Sequence, residues 1–145
     1  LLKDGPAEAL LAVSGPDGYV SPDWYGMEDQ VPTWNYVAVH LRGRLSLADP
    51  AGLRDHLARL AEAFEPRLAP KRPWTHDKMR EEALARLERG IVPVVLEVRA
   101  VEGTWKLNQN KPDAARLAAA AEIEAGGIGA ELSALAALMA APPDG

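Results

Sequence analysis

Apolar and polar residues alternate most regularly between Thr33 and Leu47. Val37, Val39 and Leu41 share one parity, while Tyr36, Ala38, His40, Arg42 and Arg44 share the other. A period of two predicts a half-buried strand, and Gly43 marks a bulge or a close backbone approach. A shorter apolar run, Ala9–Val13, meets Ser14-Gly15-Pro16-Asp17-Gly18. That order predicts a strand ending in a tight turn, with Tyr19-Val20-Ser21 opening the second arm of a hairpin. Pro22 holds Ser21 extended and interrupts pairing, so residues 23–30 read as a loop. Ile91–Val101 predicts a fourth strand with Pro93 at an edge. Glu102-Gly103 then predicts a turn, and Thr104–Leu107 resumes extended.

The pattern changes to helical spacing at Asp49-Pro50, an N-cap acid followed by a first-turn proline. Leu53, Leu57, Leu60, Ala61 and Phe64 define one apolar face and predict a helix that ends before Pro66. The proline-rich, basic stretch 66–74 predicts a loop. Thr75 predicts the cap of a second helix, with Met79, Ala83, Leu84 and Leu87 inward and Gly90 at its end. Pro112 opens a very alanine-rich region. It predicts two helices, Ala114–Ala125 and Ile128–Ala141, broken at Gly126-Gly127. The tail Pro142-Pro143-Asp144-Gly145 predicts mobile chain. The sum is an α+β chain, mainly β at its core, whose sheet has open edges that demand a cover or a partner.

Composition narrows the function classes. The 145 residues are 48% hydrophobic, enough for one domain with a real core. A net charge of −5 is a poor footprint for nucleic acid. The chain has no cysteine, which excludes disulfides and thiolate chemistry and fits a cytoplasmic protein. No apolar run approaches a membrane span, and no secretory leader pattern opens the sequence. The first residue is Leu1, which fits a fragment or a processed product.

Catalytic motifs are lacking. His40, His56 and His76 have no metal-ligand spacing. His40, mid-strand beside polar residues, is the one histidine placed for a binding role. Gly126-Gly127-Ile128-Gly129 follows no strand and is a helix break rather than a dinucleotide fingerprint. Two clusters stand out instead. One joins Ser21-Pro22-Asp23-Trp24-Tyr25 with Pro32-Thr33-Trp34-Asn35-Tyr36. The other is Trp105-Lys106-Leu107-Asn108-Gln109-Asn110-Lys111. Three of the four tryptophans fall in them. Indoles, amides, hydroxyls and a lysine are what a planar heteroaromatic ligand with a phosphate requires. Core anchoring by the tryptophans and turn capping by the amides accounts for the same residues equally well.

These clusters carry a resemblance. Tyr19-Val20-Ser21-Pro22 with Trp24-Tyr25, then Val31–His40, Pro73-Trp74, Trp105-Lys106-Leu107 and Gln109-Asn110-Lys111 resemble the PaiB-like FMN-binding transcriptional regulators in order and spacing. The likeness covers about residues 7–117. It implies an FMN-binding split β-barrel with flanking helices, in which residues 1–125 form the C-terminal portion of the family domain. Family members carry further strands upstream, so the barrel is expected to be incomplete at its N-terminus. Residues 126–145 are expected to be a helical extension. The resemblance also implies a homodimer with FMN in a groove at the interface and a negative regulatory role in transcription. The alternative on the same fold is a flavin-dependent oxidoreductase of the flavin reductase or pyridoxamine-phosphate oxidase type. Carried over by position, Thr33, Trp34 and Asn35 are candidates for the flavin or dimer groove. Lys106, Gln109 and Asn110 are candidates for polar contacts to the flavin or its phosphate. Ser21, Trp24 and Tyr25 are weaker candidates. No catalytic residue or metal ligand is implied. A DNA or transcription partner finds no support in the charge, and no membrane partner is expected.

Overall fold

The computed structural model describes residue 2 and residues 4–143. Asp144 and Gly145, the end of the tail expected to be mobile, lie outside the described residues. The chain is α+β. Its strands are β1 (Ala7–Val20), β2 (Thr33–Leu47), β3 (Val94–Lys106) and the short β4 (Gly129–Ala130). The helices are α1 (Leu53–Phe64), α2 (Glu81–Glu88), α3 (Asp113–Gly126) and α4 (Leu132–Ala140). The strands form one antiparallel sheet in the order β3-β2-β1-β4, and that sheet is not closed.

The chain divides into two compact units. Unit one comprises Leu1–Ala9 and Gly43–Glu97, and unit two comprises Leu10–Arg42 and Val98–Gly145. Each of the three long strands contributes residues to both.

The alternating strand has the bounds its pattern predicts, with Val37 and Gly43 buried and Trp34, Arg42 and Arg44 exposed. The expected hairpin is different. Ser14–Gly18 lies inside a single strand, β1, because its glycines serve close approach rather than turning. A Cβ on Gly15 would stand 3.2 Å from Val37 Cβ. A Cβ on Gly129 would stand 2.6 Å from Gly18 Cα, where β4 pairs with β1 through Asp17–Ala130 and Gly18–Gly129. The expected turn at Glu102-Gly103 is likewise continuous strand, and β3 starts at Val94, after Pro93. Composition marks these residues as turn formers, but neighbouring strands fix them extended.

Asp49 caps as expected, its Oδ1 accepting the Ala51 N–H at 2.9 Å, but a 3-10 turn over Pro50–Gly52 precedes α1. The helix expected from Thr75 is shorter. His76–Lys78 is a single 3-10 turn, and α2 begins only at Glu81 after an extended Arg80. The Thr75 hydroxyl bonds the Asp77 carboxylate, which lowers the Asp77 pKa, and it caps no backbone N–H.

Unit two holds a continuous core of Val20, Tyr25, Val37, Leu107, Ile123, Leu135 and Met139, filled in by Ala115, Ala119, Ala120 and Ala136. The alanines let α3 and α4 approach closely, and their packing buries a face that propensity alone would leave exposed. In unit one, Leu53 and Leu84 are buried, Leu57 is half-buried, and Leu60, Phe64 and Leu87 stay exposed.

Candidate functional site

All the candidate residues lie in unit two. Residues 105–111, which leave β3 for α3, supply one side. The turn is built by its own side chains. Gln109 Oε1 accepts the Leu107 N–H at 2.8 Å, and Gln109 Nε2 donates to the Trp105 carbonyl at 2.6 Å. Both ends of that amide are therefore engaged in shaping the turn. Asn108 takes a left-handed conformation (φ 63°), which asparagine tolerates better than most residues.

The turn presents two ammonium groups. Lys106 Nζ donates to Thr33 Oγ1 at 2.6 Å, joining the end of β3 to the start of β2. Lys111 Nζ donates to Gln30 Oε1 and stands 5.0 Å over the Tyr25 ring. Tyr25 is buried, and its hydroxyl donates to Asn108 Oδ1 at 3.3 Å. Burial pushes its pKa up.

Trp34 is 43% exposed. Its Nε1–H donates to Asp17 Oδ1 at 3.1 Å, and Tyr19 meets its ring edge-on at 6.3 Å. Its neighbour Asn35 points the other way, as strand parity requires. Asn35 is fully buried, and its Nδ2 donates to Met139 Sδ at 3.3 Å. Ser21 caps the 3-10 turn Pro22–Tyr25, its Oγ accepting the Asp23 N–H at 3.4 Å. Trp24 packs against the core, and Asn110 is exposed. Thus Thr33 and Lys106 meet directly, whereas Asn35 and Trp24 face the interior. His40 is half-buried on β2. Among the described residues no group of three or more His, Asp or Glu is placed to hold a metal ion. No helix among them is long and apolar enough to cross a membrane.

Asp17, Gln30 and Met139 escaped the sequence reading. Their partners lie 17, 81 and 104 positions away, so no local pattern announces them.

Two comparisons with known proteins bear on this arrangement. Residues 2–100 match the family model described as "Putative FMN-binding domain". The chain is also 34% identical over 104 residues to the "Protease synthase and sporulation protein PAI 2" of Bacillus subtilis (strain 168). That alignment takes in 72% of this chain and 49% of the relative, so the chain spans about half the relative's length. The chain belongs to the PaiB-like FMN-binding family, and its cofactor is FMN.

The residues present fit that cofactor. Lys106 and Thr33 offer a cation and a hydroxyl, the pair a phosphate monoester recruits. Trp34 and Trp105, each 43% exposed, offer apolar ring surface to a flavin. Asn108 Nδ2 is a buried donor with no acceptor among the described residues, and flavins carry carbonyl acceptors. Bound FMN would supply redox chemistry, while the chain would supply charge, ring surface and exclusion of water.

Proposed function

We propose that this protein binds FMN in unit two, with the phosphate at Lys106 and Thr33 and the ring system toward Trp34 and Trp105. The groove is shared between two copies of a split barrel, and the flavoprotein acts in the cytoplasm as a regulator of the PaiB type. The 2.6 Å Lys106–Thr33 contact beside the exposed tryptophans carries the flavin part of the reading. The open sheet supports the shared groove. In unit two, Leu10, Leu11, Val13, Val98 and Val101 are all exposed on strands, and among the described residues β3 is the end strand of the sheet. Apolar strands of this length are seldom left bare. The net charge of −5 favours an effect on transcription through a protein partner over direct contact with DNA.

Purified protein titrated with FMN is expected to quench flavin fluorescence, to show a bound-flavin absorption spectrum and to run at twice its monomer mass in light scattering. Absence of quenching removes the flavin role, and a monomer removes the shared groove. NAD(P)H oxidation above a protein-free FMN control would replace the regulatory reading with a reductase.

A further inference from the structure

The family match ends at residue 100, yet the structure assigns part of the flavin site's support to α4, well beyond that point. Asn35 follows Thr33 and Trp34 on β2, but its amide is turned into the core. There Nδ2 donates to Met139 Sδ at 3.3 Å, and Oδ1 has no partner among the described residues. A thioether is a weak acceptor. A buried amide with so little compensation costs stability, so packing alone does not favour asparagine here. The bond keeps the buried amide seated in the core, where without it both polar ends would be unpaired. It fixes which way the amide lies, and with it the strand segment that presents Thr33 and Trp34.

That bond forms only if the Met139 sulfur is itself held in place. Arg116 on α3 does this from a buried position. Its Nη1 donates to the carbonyls of Met139 and of Ala140, the latter at 2.9 Å. Its Nη2 donates to Asp113 Oδ1 at 2.8 Å. The last carbonyls of a helix lack intrahelical partners and carry the negative end of its dipole, so a planar cation is a fitting clamp. The contacts run without a gap from Asp113 through Arg116 and Met139 to Asn35. Met139 and Arg116 are thus positioning residues for the flavin-facing start of β2, acting through Asn35.

This inference rests on the FMN reading, and the test keeps the two apart. FMN affinity is measured by fluorescence quenching on the full chain, with melting temperature and near-ultraviolet circular dichroism recorded alongside. Lys106→Ala tests the reading: wild-type affinity in that variant overturns it, and the inference with it. Met139→Leu keeps the volume but removes the acceptor. It is expected to weaken FMN binding about three- to tenfold, the range of one neutral hydrogen bond, while the fold persists. The double variant Asn35→Leu with Met139→Leu replaces the polar pair by an apolar contact and is expected to regain affinity to within about twofold of wild type. Arg116→Lys keeps the charge but loses the fork, and is expected to weaken binding in the same direction as Met139→Leu. If Lys106→Ala weakens FMN and Met139→Leu does not, α4 has no positioning role. A double variant as weak as Met139→Leu alone would mean that Asn35 serves the flavin directly, and that too overturns the assignment.

Discussion

The two units stabilise themselves by different means. Unit two buries a run of apolar residues from β1, β2, α3 and α4 around Leu107, Ile123 and Leu135. Unit one buries little and relies on charge at its surface. Arg54 on α1 donates to Glu81 and Glu88 of α2 at 2.8 and 2.7 Å, which raises the Arg54 pKa. Glu65 accepts from Lys71 and from the Trp74 N–H. Between these contacts Leu60, Phe64, Leu87 and Ile91 remain exposed along an apolar groove. Every candidate flavin residue belongs to the unit with the continuous core. Precise placement of an ammonium and a hydroxyl needs rigid neighbours, and close packing provides rigidity that exposed ion pairs do not.

A core truncation in each unit tests this contrast most strongly. Leu135→Ala removes a fully buried side chain and is expected to cost about 2–5 kcal/mol, read from the midpoint of urea unfolding. Leu57→Ala, at a half-buried site, is expected to cost clearly less. Equal losses would break the comparison.

Acid provides the second test. Arg54 lowers the Glu88 pKa, while Lys71 and then the Trp74 N–H lower that of Glu65. A carboxyl with a depressed folded pKa stabilises above its unfolded value of about 4.3. That stability is lost as pH falls through the folded value. Unit one should therefore loosen in the window below about pH 4.3, seen as lost protection of α1 and α2 amides in hydrogen exchange. Arg54→Ala should remove the part of this pH dependence that belongs to Glu88. An acid response unchanged in that variant would show that the clamp does not hold α1 to α2. The smallest effect is expected from Leu60→Gln, within about 0.5 kcal/mol, because that side chain is 49% exposed. A larger loss would mean that the groove is covered in solution.

The regular parts of the fold were legible where one period ran undisturbed. β2 carried its own bounds in its alternation, and α3 ended at the Gly126-Gly127 break as composition suggested, but the helix expected from Ile128 starts only at Leu132, because Gly129–Ala130 pairs with β1 as β4. Within the long strands, the errors fell on glycine, proline and acidic residues of β1 and β3. There local chemistry favours a turn, and the neighbouring strand overrides it. The site was legible as residue types but not as roles. Trp34 and Asn35 look equivalent in sequence, yet strand parity sends one toward solvent and the other into the core.

The sequence alone determined the α+β class, the residue types suited to a phosphorylated flavin and the family to which the chain belongs. These depend on local periodicity and on short motifs, which neighbouring residues encode. Only the tertiary structure decided that Lys106 meets Thr33, that Gln109 shapes its own turn, and that Met139 reaches Asn35. Those pairs form when distant segments pack, and the free energy that selects them belongs to the assembled core rather than to any stretch of the chain.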